Sequence, residues 1–309
     1  MQRRSSAIFV SLLCSAGVCA GCNLNQIAAD QTASLLEEAA PALDGHWDYE
    51  LIGEGTPGAI MQLEAMYSLS PDNEGLGLNL AKAYVGYGFG WVENELEIAD
   101  DAADFDKADR IRDRARQLYL RARNLGRHAM RVRDPEVDEI LTGDPAKLKE
   151  YLEEEFTDPE QDAAVLFWTA MGWGSAINLS LDDPDLIADA PICSALMTRV
   201  TEIDPDFFNA SAWAFLGGLE SAMPAALGGT PEKGKNYFEQ GLQITERRNH
   251  MIHIAYAKLY AVNTSNRELY VKLLTEVLEA EDLGDSVRLN NKIARVRAER
   301  YLANVDELF

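Results

Sequence analysis

Apolar residues recur every three or four positions along almost the whole chain after residue 23. The pattern is clear in "PGAIMQLEAMYSLSPDN", in "AAVLFWTAMGWGSAINLSL" and in "RELYVKLLTEVLEA". This spacing places the apolar side chains on one face of a helix. No run of alternating β-branched residues is long enough to predict a sheet. The chain is therefore predicted to be all-α, with roughly a dozen helices joined by short turns rich in Asp, Pro, Gly and Asn.

Two turns share a sequence theme that indicates helical hairpins. "LSPDN" at 69–73 and "IDPDF" at 203–207 each close one amphipathic segment and open another. One helix is predicted to start at Pro57 and to stop at Pro71, and a Gly-rich break is predicted between Gly86 and Gly90. The positions expected to carry tetratricopeptide-type packing are Ala59, Leu63, Met66, Leu80, Ala81 and Tyr84 around the first turn and, more loosely, Cys193, Met197 and Val200 before the second.

These patterns predict a compact array of antiparallel helical hairpins with degenerate tetratricopeptide-like (TPR-like) repeats. Small residues let paired helices approach closely, while larger ones fill the groove to the next pair. The repeat of about 34 residues is visible but irregular. We therefore predict one closed body over residues 22–309 rather than an open solenoid of exact repeats.

The N-terminal residues 1–21 have the layout of a secretory signal. Arg3 and Arg4 precede an apolar run from Ala7 to Ala20, which is shorter than the roughly 18 residues that a membrane span needs. The following "VCAGC" resembles a bacterial lipobox, except that Cys19 stands where Leu is usual. Cys22 is then predicted to be the lipidated first residue of the mature chain. The alternative is a plain cleaved signal with a chance cysteine.

Composition narrows the classes of function. The net charge is −23, which disfavours binding to nucleic acid or to anionic lipid. After the leader only Cys193 remains besides Cys22, so a cysteine-based zinc site is excluded. His250 and His253 are three residues apart, but a metal site would need a third ligand such as Glu246, and a surface or core role is the favoured interpretation. Neither a cofactor nor a metal is predicted, and the membrane is expected to be contacted only through the N-terminal lipid.

The stretch "AALGGTPEKGKNYFEQ" contains the spacing G-x-x-x-x-G-K from Gly229 to Lys235. A phosphate loop needs a preceding strand and a Ser or Thr after the lysine to hold magnesium. Here the preceding segment is helical in pattern and Asn236 follows the lysine. The prediction is instead that Thr230 caps a new helix and that Pro231 takes its first turn.

The order of several segments resembles the TatT family, the helical lipoproteins associated with tripartite ATP-independent periplasmic (TRAP) transporters. The segments are "NLAKAYVGYG", "LYLRARNLGRHAM", "AAVLFWTAMGWGSAINLSLDD", "ALMTRVTEIDPDFFNASAWAFLGGL" and "MPAALGGTPEKGKNYFEQGLQI", followed by the C-terminal "RLNNKIARVRAERYLANVDELF". The resemblance covers almost the whole mature chain, although no single motif in it is catalytic.

The resemblance carries specific implications. It implies an all-helical body of irregular TPR units that self-associates into a homotrimer. It also implies a periplasmic TRAP-type solute-binding protein as the partner. A pore through the body, for hydrophobic or organic-acid ligands, belongs to the same set of expectations. Asn23 after the predicted lipidated cysteine favours anchoring at the bacterial outer membrane, facing the periplasm.

Ten cations cluster between residues 107 and 133, which is unusual in so acidic a chain. Arginine matches carboxylates with a planar fork, so a docking face for an acidic partner is one interpretation. The other is mutual neutralisation with the acidic run at 93–109 and with neighbours along the helix. Within the family-like segment, the partner-binding candidates are Arg121, Arg123 and Arg127.

Aromatic residues cluster beside glycines in two segments. At helical spacing such residues usually form the core, and the alternative is the lining of an apolar pore with room for a ligand. The pore candidates are Tyr84, Tyr87, Trp91, Phe167, Trp168 and Trp173.

The sequence therefore predicts a lipid-anchored adaptor and binding protein rather than an enzyme. Two alternatives remain open. The first is a general TPR-like scaffold lipoprotein for envelope assembly or secretion, without a small-molecule ligand. The second is a hydrolase, although neither a Ser nucleophile elbow nor a His-x-x-Glu-His-type motif is found in the sequence.

Overall fold

The computed structural model describes residues 24–222 and 230–309. These residues form helices and no strand, which confirms the all-α prediction. The leader and Cys22 lie outside the described residues, so lipidation stays a prediction. No helix in the described part of the chain combines the length and the apolar character that crossing a membrane requires.

The helices are numbered in chain order. The N-terminal half contains α1 (Leu24–Asp44), α2 (Tyr49–Leu69), α3 (Glu74–Tyr87), α4 (Glu93–Asp101), α5 (Phe105–Arg133), α6 (Val137–Leu141), α7 (Pro145–Glu155) and α8 (Pro159–Asn178). The C-terminal half contains α9 (Pro184–Ile187), α10 (Ala190–Ile203), α11 (Phe207–Ala222), α12 (Pro231–Ile244), α13 (His250–Ala255), α14 (Arg267–Glu279), α15 (Arg288–Ala303) and α16 (Val305–Leu308). Two π-helical segments, Gly88–Val92 and Tyr256–Ala261, join α3 to α4 and extend α13.

Asp and Asn residues in the turns cap the helices that follow them. Their side-chain oxygens accept hydrogen bonds from backbone N–H groups of the first helical turn, which otherwise have no partner. The capping residues are Asp48, Asn73, Asp104, Asp144, Asp158, Asp183, Asn249 and Asn266.

Two predicted boundaries were wrong. Helix α2 begins at Tyr49 rather than at Pro57, because Asp48 caps it by accepting a hydrogen bond from Leu51 N at 3.0 Å, and Pro57 lies inside the helix. The Gly-rich segment does not interrupt the helical conformation. It continues α3 through the π-helical segment Gly88–Val92 into α4.

The two predicted hairpin turns lie where they were expected, between α2 and α3 and between α10 and α11. The packing positions were correct after the first turn, where Leu80 and Ala81 are fully buried, and before the second, where Cys193, Met197 and Val200 are fully buried.

Before the first turn, Ala59 and Met66 were wrong because they are exposed, whereas Leu63 is partly buried against the core. Helix α2 packs against α3 and buries a different stripe, at Gly53, Ile60 and Tyr67. Consecutive helices in contact are compatible with a TPR-like arrangement.

Helix α5 lies at the centre of the N-terminal half, where it packs against α3, α4 and α8. Helix α8 in turn packs on α10, and most of its residues are buried. A second hydrophobic cluster is built from α12, α13, α14 and α15. The candidate residues of α5 and α8 therefore lie on one packed pair of helices, and we describe them together.

Candidate functional site

Arg121 forms an intrachain clamp with Glu64 of α2. Its Nε and Nη2 atoms donate to the two carboxylate oxygens, each at 2.7 Å, and the Tyr84 hydroxyl donates to the same carboxylate at 2.7 Å. The hydrogen bond from Arg121 lowers the pKa of Glu64. Burial, together with the neighbouring Glu64, raises the pKa of Tyr84 to about 12. Arg121 and Tyr84 thus fasten α2 and α3 to α5.

Arg127 is neutralised in a similar way by Asp138 of α6. Its Nε and Nη2 atoms donate to Asp138 Oδ1 at 3.0 and 2.6 Å. Arg131 approaches the other oxygen of that carboxylate, with Nε at 2.7 Å. The guanidinium of Arg127 also lies 5.1 Å from the centroid of a Trp173 ring, a distance suited to cation–π attraction. One carboxylate therefore serves two arginines.

Arg123 differs from both, since within the described residues no carboxylate lies within ion-pair distance of its guanidinium. Its Nε donates to the side-chain oxygen of Asn124 at 3.1 Å, and its guanidinium lies 5.5 Å from the centroid of a Trp173 ring. Burial and then the positive charge of Arg127 lower the pKa of Arg123. Of the three partner-binding candidates, Arg123 is the one whose charge would gain most from an incoming carboxylate.

The candidates on α8 are packed into the core. Phe167 and Trp168 form an edge-to-face pair with ring centroids 4.8 Å apart, and Phe208 of α11 lies 4.9 Å from Trp168. Trp173 is buried, and its Nε1 donates to Asp189 at 3.0 Å. These three side chains fill space between helices, and Trp173 also supports the arginines above it.

Two candidates near the π-helical segment, Tyr87 and Trp91, form a partly exposed ring stack with Tyr49. Trp91 lies between Tyr49 and Tyr87, with centroid distances of 5.0 and 6.2 Å and nearly parallel planes. At one end of the stack Arg114 donates to the Tyr87 hydroxyl at 3.1 Å. Trp91 Nε1 donates to the Tyr49 carbonyl at 3.2 Å. The structure thus divides the six aromatic candidates into a buried group on α8 and a partly exposed group beside α5.

Two clefts lie on the described surface, away from the aromatic candidates. The first lies between α2, α3 and α5 and has no volume for a bound molecule. The second lies in the C-terminal half, between α13, α14 and α15. None of the six aromatic candidates lines either of them.

The G-x-x-x-x-G-K spacing has a packing explanation in its described part. Gly234 and Lys235 lie inside α12, which starts at Pro231 after Thr230, as predicted. A Cβ atom at Gly234 would come within 2.2 Å of Ser221 Oγ, so glycine here permits the close approach of α11 and α12. Thr230 makes no side-chain capping bond. Gly229 lies outside the described residues.

A sequence profile of the TRAP transporter T-component family matches residues 45–309. The protein belongs to that family. It is also similar to a protein of Treponema pallidum (strain Nichols) that bears the name "uncharacterized protein". The two are 23% identical over 330 residues, covering 100% of this chain and 99% of the relative. The family is a transporter component and not an enzyme family.

This T-component also contains a buried charge network that the sequence analysis missed. Arg297 of α15 is only 2% exposed and lies near the two carboxylates Glu93 and Glu97 of α4. Glu97 is paired with both Lys258 and Arg300. The network joins the N-terminal helices to the second hydrophobic cluster.

The ionisation of the network follows from its surroundings. Burial opposes the charge of Glu97, but Arg297, Lys258 and Arg300 outweigh it and lower the pKa of Glu97 to about 2. Burial raises the pKa of Glu93, whose carboxylate accepts a hydrogen bond from the Tyr119 hydroxyl. One signal was available in the sequence, since Arg297 lies in phase with the apolar residues of α15 and a charge at such a position is rarely left unpaired.

His250 and His253 are both buried, and their rings form an edge-to-face pair with centroids 5.4 Å apart. Within the described residues, no group of three His, Cys, Asp or Glu side chains is arranged to hold a metal ion.

Proposed function

We propose that this T-component is a lipid-anchored adaptor that docks a periplasmic TRAP-type solute-binding protein. The family match over residues 45–309 is the observation that carries the proposal, because it supports a role in TRAP transport. The chain offers the partner a helical surface around α5.

Arg123 is the proposed centre of the docking surface. Arg121 and Arg127 are held by Glu64 and Asp138, so their forks are already occupied. Arg123 is held over Trp173 without a carboxylate, and an Asp or Glu of the partner would relieve its like-charge repulsion with Arg127. A planar guanidinium fixed on an indole ring is well placed for two-point recognition of a carboxylate.

A binding titration with the purified proteins tests this proposal. The mature chain is immobilised, and a TRAP-type solute-binding protein of the same organism is the analyte. We expect saturable binding that weakens about tenfold in Arg123→Gln, the effect of losing one charge-assisted contact. Arg116→Gln is the matched control, because Arg116 lies on the same helix and is paired with Asp113. Absence of binding by the unsubstituted chain would contradict the function itself.

The lipid anchor is the second part of the proposal. The "VCAGC" segment supports lipidation at Cys22, and Asn23 supports sorting to the outer membrane, with the body facing the periplasm. The inner membrane is the alternative location. Mass spectrometry of the mature N-terminus tests the modification directly, and a Cys22→Ser variant should be released from the membrane fraction. A mature chain that begins elsewhere would contradict it.

A pathway for a hydrophobic or organic-acid ligand is the third part. The partly exposed rings Tyr84, Tyr87 and Trp91 support it, because a passing ligand can reach them. Phe167 and Trp168 pack against each other and against Phe208, and this arrangement favours a core role for α8.

Trp91 offers a direct readout of this pathway. An aromatic anionic fluorescent probe such as ANS should quench the emission of Trp91 saturably, and the quenching should be lost in Trp91→Phe. Trp47 is an exposed tryptophan outside the stack, so Trp47→Phe is the control. Unsaturable quenching, or quenching that persists in Trp91→Phe, would favour the alternative function, a TPR-like scaffold without a small-molecule ligand.

Self-association into a homotrimer is the last part. The outward faces of α1 and α2 expose a run of large apolar side chains, which monomers rarely leave uncovered. The exposed side chains are Leu35, Leu43, Leu51, Met61, Met66 and Leu69. Gly55 and Gly58 face open space on the same helix, although exposed helical glycine costs about 1 kcal/mol relative to alanine. A second copy packed closely on α2 would explain both features.

A further inference from the structure

The cleft in the C-terminal half has a volume of about 80 Å³. It opens between the start of α13, the C-terminal end of α14, the connection that follows α14, and the first turns of α15. Liquid water occupies about 30 Å³ per molecule, so the cleft has room for two or three waters or for one small polar group. Its polar lining comes from His250, Glu281, Asp282, Arg288, Lys292 and Arg295.

His250 is the buried polar residue of this cleft. It is 4% exposed, and its ring makes no hydrogen bond to any described residue. Its backbone N–H is already used, since it donates to Asn291 Oδ1 at 2.9 Å. The nitrogens of the ring are nevertheless accessible from the cleft that the side chain lines. The ring of His250 therefore has capacity for a partner that the chain itself does not supply.

The charge state of His250 is set by the elements around it. Burial, then the neighbouring His253 and Arg295, lower the pKa of His250 to about 4, while Glu276 of α14 acts in the opposite direction. The ring is thus neutral at pH 7. A neutral imidazole has one N–H donor and one acceptor, so it can donate a hydrogen bond to an anionic oxygen.

Two cations of α15 face the same cleft with donors to spare. Lys292 is exposed, and within the described residues no carboxylate lies within ion-pair distance of its ammonium. Arg295 donates through Nη1 to the Leu278 carbonyl at 2.9 Å, and its Nε lies 3.4 Å from Glu299. Among the described residues, the Nη2 group of Arg295 has no such partner. Arg288, by contrast, is paired with the two carboxylates of Asp282 and Asp285 and also donates to the Gly45 carbonyl.

Two carboxylates also line the cleft, and only one of them is paired with a cation of the chain. Asp282 is committed to Arg288 at 2.6 Å and to the Gly284 N–H at 2.9 Å. Glu281 is exposed and has no cationic partner within ion-pair distance among the described residues. Its negative charge would weaken the binding of an anion. Glu281 therefore gives the test a substitution with the opposite sign.

We propose that this cleft binds a single oxyanion group, the carboxylate or phosphate of a small molecule, between Lys292, Arg295 and the ring of His250. Two cations supply the charge, and the imidazole N–H supplies a directional hydrogen bond. The site is separate from the docking surface around Arg123 and does not depend on it.

Nuclear magnetic resonance of histidine-labelled mature chain at pH 7 tests the proposal. Sodium phosphate and sodium acetate are titrated separately, with chloride keeping the ionic strength constant. The ring signals of His250 should shift and saturate with at least one of the two anions. The arm that saturates at lower concentration shows whether phosphate or carboxylate is preferred.

Three exposed substitutions make the outcome decisive without disturbing the buried ring. Lys292→Gln should weaken binding about fivefold and Glu281→Gln should strengthen it, because each changes one charge at the cleft. Lys272→Gln removes an exposed charge of α14 outside the cleft and should leave binding unchanged. The proposal is overturned if neither anion shifts His250 saturably, or if Lys292→Gln and Lys272→Gln have the same effect.

Discussion

The guanidinium of Arg297 lies 4.1 Å from the centroid of the Phe89 ring, and the same side chain donates to the Phe89 carbonyl. Phe89 belongs to the π-helical segment Gly88–Val92, so this contact ties α15 to the junction of α3 and α4. Residues more than two hundred positions apart thus meet through one buried cation. Segments of π-helix commonly mark places where a helix is adjusted for a specific contact.

Removing this cation should destabilise the fold strongly. Arg297→Met removes a positive charge that stabilises the ionised carboxylate of Glu97. Breaking a buried ion network by removing one partner costs about 3–5 kcal/mol. The measurement is the free energy of unfolding in urea at pH 7. Arg267→Gln is the control, because its pair with Asp306 is exposed and should contribute no more than about 1 kcal/mol.

A second substitution separates charge from packing. Adding Glu93→Gln to Arg297→Met should recover part of the loss, because it removes a carboxylate that Arg297 helps to stabilise. If Arg297→Met unfolds no more easily than Arg267→Gln, the network contributes little and the description of Arg297 as a buried anchor is wrong.

Acid should weaken the fold through Glu97. The pKa of Glu97 is about 2 in the folded chain and 4.5 in the unfolded chain. Because the folded-state pKa is depressed, the stabilisation is fully present above pH 4.5 and is lost as pH falls toward 2. This pKa shift corresponds to a contribution of at most about 3 kcal/mol to the free energy of unfolding. Unfolding free energies measured from pH 6 to pH 2 should show this slope, and Glu97→Gln should flatten it. An unchanged slope would assign the acid sensitivity to other carboxylates.

The sequence identified the helices and part of their packing, but not the long-range pairs. Leu80, Ala81 and Cys193 were placed correctly in the core, because hydrophobic period and turn position are local signals. Ala59 and Met66 were misplaced, since which face of α2 is buried depends on the tertiary contact with α3; the start of α2 was misplaced because Pro57 lies inside the helix and Asp48 caps it.

The ion pairs could not be predicted from the sequence pattern, because their partners are distant along the chain. The arginine cluster was visible, but Arg121 is neutralised by Glu64, which lies 57 positions away. Only the fold reveals that this arginine is occupied and that Arg123 is not. In the same way, Arg297 sits in an apolar stripe, and its carboxylates come from α4 through tertiary contact.

Arg121 and Arg123 should differ in their effect on stability. Arg121→Gln breaks a two-point clamp to Glu64 and should cost about 1 kcal/mol, since the pair is only partly buried. Arg123→Gln removes a charge that its surroundings disfavour, so the free energy of unfolding should stay constant or rise slightly. Urea titrations of the two variants check the difference. A loss in Arg123→Gln equal to that in Arg121→Gln would mean that Arg123 is structural.

The exposed apolar face of α2 should control self-association. Met61 and Leu69 are 68% and 65% exposed, so replacing both with glutamate leaves the protomer core untouched. If a second copy covers this face, each glutamate buries an unpaired charge at the contact and the assembly dissociates. Light scattering coupled to size-exclusion chromatography should show three times the protomer mass for the unsubstituted chain and a shift toward one protomer for Met61→Glu with Leu69→Glu. Leu181→Glu is the matched control, because Leu181 is 73% exposed in the connection after α8. A double variant that keeps the trimer mass would place the contact on another face.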